Sequence, residues 1–284
     1  KIGGAMRFFR KSWKYQVTTV IKYLFLILVA IVSLYPFIWV LISSFKDNNS
    51  IFGDPFGLPV KIAFENYKEV WAGADVGRNF LNSMIVCLTT LVILIIITSM
   101  GCYILTRVWK NTFLSTYFSL GIMIPIHALL IPSVLIFKKI GLTDNLFSLV
   151  LMYTAINISL SMYIMNGFFD SIPREMDEAA TIDGCSRSQI FLRIIFPIAK
   201  PGIATVATLA FLNCWNDLLM GLVLISSPQK KTLSLAISAL KGSYATRYGL
   251  LCAGFVISIV PVVIMYLFFQ KQVIAGMTAG AVKG

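Results

Sequence analysis

The chain has 284 residues, of which 58% are hydrophobic and only 13% charged, with a mean hydropathy of +0.83. That balance excludes an ordinary soluble domain and points to an integral membrane protein, with room for several spans of about 20 residues each but for no large soluble domain. The net charge of +12 comes from Lys and Arg scattered through short loops rather than gathered on one face, which excludes a nucleic-acid-binding surface and is read as membrane orientation.

Residues 1–284 are accordingly read as a single membrane domain. Lys1, Arg7, Arg10, Lys11 and Lys14, with no acidic residue among them, precede an apolar run over 17–45, so the N-terminus is expected in the cytoplasm. The run is too long for a cleavable signal peptide and lacks a small-residue cleavage site behind it, and is expected to stay as an anchor. Pro36, flanked by Tyr35, Phe37 and Trp39, fits a kink near the outer interface or a plain anchor helix equally well. From Lys46 to Arg78 the chain turns polar, with Gly53, Pro55, Gly57 and Pro59 preventing a continuous helix and FENYKEVW predicting one short amphipathic helix.

A second span is predicted over 80–105, followed by Arg107 and Lys110 in a tight inner turn. A third, over 112–137, contains Pro125, Pro132 and the sole histidine, His127, a candidate for lining a water-filled path or relaying a proton. The next loop carries Lys138, Lys139, Gly141 and Asp144; alternation places it outside, against the pull of its lysine pair. The fourth span, 146–168, carries Asn157, Ser159, Ser161 and Asn166, suited to bridging helices or contacting a polar solute.

The fifth, 202–225, contains Asn213, Trp215, Asn216 and Asp217, a carboxylate in an apolar segment and so a functional candidate. An outer loop over 226–248 includes LSLAISAL, too short to span and predicted as a surface or re-entrant helix. The sixth span covers 250–269, and a small, flexible tail follows over 270–284. Cys87, Cys102, Cys185, Cys214 and Cys252 have neither pairing nor metal-ligand spacing, so they are read as small apolar residues and no metal site is expected. An even number of spans and a modest inner excess of Lys and Arg place both termini in the cytoplasm.

The most informative segment is 171–201, SIPREMDEAATIDGCSRSQIFLRIIFPIAKP, a charged interruption between two apolar runs. Pro173 suits a first helical turn, and Glu175, Asp177 and Glu178 then fall at the positive end of that helix. Gly184 supplies its C-terminal stop, and Ser186 with Gln189 has the spacing of a capping box for a second helix that Pro197 and Pro201 end. The result is a helix-turn-helix knob. Ala179 and Ala180 leave room for another protein's groove to close around it, and Glu178 offers a carboxylate to a partner's cation.

The order Glu178-Ala179-Ala180, Gly184, Ile194, Phe196 and Pro197 resembles the EAA loop of binding-protein-dependent ABC importer permeases, with Phe196 where the pattern usually has Leu. The resemblance extends over essentially the whole chain and is closest to the MalG-like carbohydrate-importer permeases. It is carried by YPFIWVLISSFK at 35–46, Asn82-Ser83, FLNCWNDLLMGLVLI at 211–225 and AGMTAGAVKG at 275–284. It implies an all-α type I importer fold of six transmembrane helices in the bacterial cytoplasmic membrane, paired with a second, MalF-like permease over two ATPase subunits. A solute-binding protein would deliver a carbohydrate from outside. ATP and Mg would be bound by the ATPases, with no cofactor on this chain. Glu178, Ala179, Ala180, Gly184, Ile194 and Pro197 would then dock the ATPase, and Gly276, Thr278 and Gly280 of the tail would reach the ATPase interface.

The chain contains no GxxxxGK[ST] phosphate loop, so ATP hydrolysis is assigned to another polypeptide. His127, Asn157, Asn213, Trp215, Asn216 and Asp217 are the candidates for the translocation pathway. The alternative is a self-sufficient secondary transporter or channel using His127 and Asp217, which would leave the docking segment without purpose. A membrane-embedded enzyme finds no support: no helix-borne metal motif occurs, nor a nucleophile with a base at useful spacing.

Overall fold

A chain whose apolar segments must satisfy every backbone group internally folds as helices, and the described residues contain no strand. The computed structural model describes residues 2–73, 75–241 and 246–281, with side chains over 15–72, 75–241 and 246–271.

Helix α1 (Ile2–Ser43) runs unbroken through Pro36. Its apolar side chains are exposed from Val20 to Ile38, and within this chain it packs chiefly along the last helix. Short α2 (Asn48–Gly53), capped by the Asp47 carboxylate on Ser50 N, and α3 (Glu65–Lys68), prolonged by a π turn over Glu69–Gly73, occupy the loop that follows.

The core is built on α4 (Val76–Tyr103) and α7 (Leu146–Ser171), with α11 (Lys200–Asn216) and α14 (Tyr248–Ala281) packed against them. The buried face of α4 is rich in small polar groups, among them Ser83, Thr90, Thr98 and Ser99. Thr98 and Ser99 donate to carbonyls one turn back at 2.7 and 2.6 Å. Their polarity is thereby spent within the helix, and the short side chains let α7 approach closely, as in membrane helix pairs generally.

Two expected spans are corrected. The run 112–137 is not one straight helix: α5 (Thr112–Leu120), with a 3-10 turn to Met123, meets the Ile126–Lys139 segment, which ends in α6 (Leu130–Lys139), at 93°. The break falls at Pro125, which has no N–H to donate and holds Ile124 extended, whereas Pro132 sits harmlessly in the first turn of α6. The run 202–225 also divides. α11 stops at Asn216, the chain extends at Asp217, and α12 (Leu219–Leu224) starts anew because the Asp217 carboxylate accepts from Met220 N and Gly221 N at 3.1 and 3.3 Å.

Between α7 and α11 lie α8 (Glu175–Ile182), α9 (Arg187–Ile190), a π turn over Phe191–Ile195 and α10 (Phe196–Ile198). Pro197 does not end this hairpin; the chain turns through 71° at Ala199, between the Arg187–Ile198 segment and α11. By length and composition, Tyr15–Ser43, Val76–Val108, Leu146–Ser171 and Tyr248–Lys271 can each cross a membrane, and the total among the described residues is up to six if each of the two bent pairs is one span.

At the end of the bundle opposite α8, α13 (Leu233–Ala239) is not a surface helix, since Leu233, Leu235, Ala236 and Ile237 are buried. Asn82 Nδ2 donates to Gln229 O and Lys231 O at 2.9 and 3.0 Å, and Ser83 Oγ accepts from Leu233 N at 2.8 Å, which fastens this loop to α4. Asp144 accepts from Ser226 N and Ser227 N, both at 2.9 Å, and from the Ser227 hydroxyl, and pairs with Lys230 at 3.2 Å. The hydroxyl and amide bonds from Ser227 hold its carboxyl well below the usual carboxylate range. The first turn of α14 presses Gly249 onto the α1–α2 loop so closely that a Cβ there would lie 2.1 Å from Lys46 O. That helix then runs on as backbone to Ala281 rather than giving way to an irregular tail after Phe269. Gly276, Thr278 and Gly280 lie outside the residues whose side chains are described.

Candidate docking surface

The α8–α9 hairpin is defined by its own sequence. Glu175, Asp177 and Glu178 occupy the first turn of α8, where carboxylates favour the helix dipole. The helix closes with Cys185 N on Ala180 O at 2.9 Å and Gly184 N on Thr181 O at 3.0 Å, the paired bonds of a Schellman stop, with Gly184 at φ +79°. No side chain touches the space a Cβ would fill at Gly184, so glycine is required there by backbone conformation and not by crowding. Ser186 then caps α9 as anticipated: Ser186 N donates to Gln189 Oε1 at 2.8 Å and Gln189 N to Ser186 Oγ at 3.4 Å.

Tertiary packing decides which residues this knob offers. Glu175, Glu178, Ala179, Ile182 and Gly184 are exposed, and Ile182 at 86% exposure is an apolar side chain standing free on the outer face. Ala180 is corrected as a docking residue, because it is 5% exposed and packs inward; its smallness serves the chain's own interior. Ile194 and Pro197 are half-buried, and Ile194 packs against the core.

The hairpin is fastened to the adjacent end of α4, which continues as a π turn over Ile104–Val108. Arg107 Nη1 donates to Asp177 Oδ2 at 2.8 Å, while Nη2 donates to the carbonyls of Phe169 and Ile172 at the end of α7. Arg174 Nη2 reaches Thr106 O at 3.1 Å. Tyr103 donates to Arg187 O at 3.1 Å and its ring meets that of Phe191 at 5.1 Å. None of these ties stands out in the sequence, where Arg107 and Asp177 are 70 residues apart.

The pathway candidates fall into separate roles. Asn213 Nδ2 donates to Asn157 Oδ1 at 2.9 Å and Asn157 Nδ2 to Tyr153 O at 2.8 Å, a bridge between α11 and α7. Asp217, half-buried, accepts from Tyr153 OH at 2.8 Å through the same Oδ2 that caps α12, so one oxygen of its carboxylate is engaged in structure. Trp215 is not available to a solute: it is 1% exposed, stacks on Phe211 with centroids 5.5 Å apart and donates to Ser258 O at 3.0 Å. Asn213 and Asn216 remain exposed on α11, and His127 is exposed on the Ile126–Leu129 turn.

The profile of the family described as "Binding-protein-dependent transport system inner membrane component" matches residues 93–277. A diacetylchitobiose uptake system permease protein of Streptomyces coelicolor is 34% identical over 264 residues, 92% of this chain and 87% of that protein. A probable starch degradation products transport system permease protein of Thermoanaerobacterium thermosulfurigenes is 35% identical over 267 residues, 92% and 97% of the two chains. Among solved structures, a chain of a bacterial ABC transporter involved in the import of the acidic polysaccharide alginate superposes with a TM-score of 0.79 at 25% identity, covering 90% of this chain and 96% of that one.

Proposed function

The chain belongs to the family of binding-protein-dependent transport system inner membrane components, and from that premise we propose how it works as a carbohydrate importer permease: its α8–α9 hairpin is the seat through which partner ATPases drive it. It is a multi-pass inner membrane subunit of an ABC transporter that imports a carbohydrate. The observation that carries the docking reading is the exposed face of α8, where Glu178, Ala179 and Ile182 project from a helix capped at its C-terminal end and tied to α4.

ATP and Mg belong to the partner ATPases, and this chain supplies no phosphate-binding loop of its own. Closure of two ATPases would draw α8 and its counterpart on a second, MalF-like permease together. Rigid packing of α4, α7 and α11 would convert that movement into opening on the opposite side, a two-state rearrangement. With the N-terminus and α8 in the cytoplasm, the loop fastened by Asn82 and Asp144 faces the solute-binding protein. Asn213 and Asn216, exposed amides on α11, are the groups best suited to meet a sugar hydroxyl in the pathway between the two permeases.

Uptake and ATPase co-purification test the reading. Glu178→Lys places a cation where a cation is awaited and Gly184→Asp strains the turn. Each should abolish uptake with membrane insertion intact, and Glu178→Lys should also release the ATPase. Retained ATPase binding together with retained uptake would refute it.

A further inference from the structure

We infer that Arg107 and Asp177 form a strut that makes α8 and α4 move as one body, so that Arg107 is a positioning residue for energy coupling although it lies outside the docking face. The inference rests on the docking reading above and adds the step by which movement of the hairpin enters the spans.

Three observations carry it. The Arg107 side chain is 4% exposed, so its charge acts in a medium that screens little, and its guanidinium joins three elements at once: the end of α4, the C-terminal carbonyls of α7 and the carboxylate on α8. Asp177 Oδ1 is buried and finds no hydrogen-bond partner among the described residues, so this carboxylate is held to α4 by Arg107 alone. The α4 helix is in turn the element most extensively packed against α7 and is also packed on α11, so a displacement delivered at its Arg107 end reaches the opposite end of the bundle through rigid contact. The planar fork is what makes the joint stiff. Lysine, a point charge on a flexible stem, cannot hold two carbonyls and a carboxylate in fixed directions.

The test uses the assembled complex of this chain, its partner permease and the ATPases, in lipid nanodiscs. Spin labels are placed at Leu81→Cys on α4 and Asp183→Cys at the end of α8, both exposed positions, in a background carrying Cys185→Ser. The distance between them is measured by pulsed EPR with and without ATP and orthovanadate. With the native strut the distribution is the same in both states. Asp177→Asn leaves the Arg107 contacts to α7 in place and is expected to shift the distribution on trapping by more than its untrapped width, with ATPase co-purification and ATP hydrolysis retained. Arg107→Lys is expected to do the same. A purely structural role would lower yield and co-purification without dissociating the two labels. An unshifted distance in both variants, or a trapping-dependent shift in the native protein, overturns the strut. The docking reading is checked separately: a label at residue 183 that stays as mobile with ATPases bound as without them overturns that premise, whereas an immobilised label with unshifted variants overturns the strut alone.

Discussion

Truncating Ile182 tests the docking reading at the residue that sequence spacing did not single out. The side chain is 86% exposed on α8 and supports nothing inside the chain, so Ile182→Ser is expected to change the subunit's own stability by no more than about 0.5 kcal/mol. If the hairpin seats in a cleft that takes this side chain fully out of water, the lost burial is worth about 1.5–3 kcal/mol. That converts to a roughly 10- to 150-fold weaker ATPase affinity. The assay is titration of labelled ATPase onto the permease pair in nanodiscs, with thermal unfolding of the permease pair measured in parallel. Glu175→Gln, an exposed polar change on the same helix, serves as the control and should shift affinity by less than a factor of about 5. An Ile182→Ser complex that binds within about twofold of the native affinity would refute the reasoning, because a side chain this exposed cannot be buried at the interface and contribute nothing.

Asp217 acts as a cap rather than a charge, so Asp217→Asn should retain both thermal stability and uptake. Asp217→Ala should lose about 1 kcal/mol for the cap, read by thermal unfolding, and leave the Tyr153 hydroxyl unpaired. Asn82→Ala orphans two carbonyls, at Gln229 and Lys231, and should cost about 1–3 kcal/mol, seen as faster amide exchange over 229–233 while α8 is unaffected. For Asp144, whose folded carboxyl titrates below its unfolded value, the stabilisation is present above pH of about 4 and lost only as pH falls through the lower folded value. Exchange protection at Ser226 and Ser227 should therefore be flat from pH 8 down to about 5 once corrected for intrinsic rates, and Asp144→Asn should reduce it throughout that window.

Local features of the α8–α9 hairpin were legible because each depends on residues three or four apart. The acidic first turn, the Gly184 stop and the Ser186–Gln189 box all form as their spacing dictates. The EAA spacing likewise identified the family. The spans were less legible where two signals conflict. Hydropathy runs on through Pro125 and past Asp217, whereas backbone geometry breaks the helix at both, because a proline without an N–H and a carboxylate able to cap a new helix each override an apolar background. Trp215 looked available for a polar solute, and its neighbours absorb it instead, whereas Asp217 stays half-buried with one carboxylate oxygen bonded.

Composition and the order of apolar runs determined by themselves that this is a helical membrane protein, and the motif determined which kind. Only the tertiary structure decided that Ala179 faces out while Ala180 faces in, that Ile182 stands free, and that Arg107 reaches Asp177 across 70 residues. The division has a physical cause. Helix, cap and hydropathy signals are written in neighbouring residues, but the face a helix buries and the partner a buried charge finds are fixed only when α4, α7 and the hairpin pack against one another.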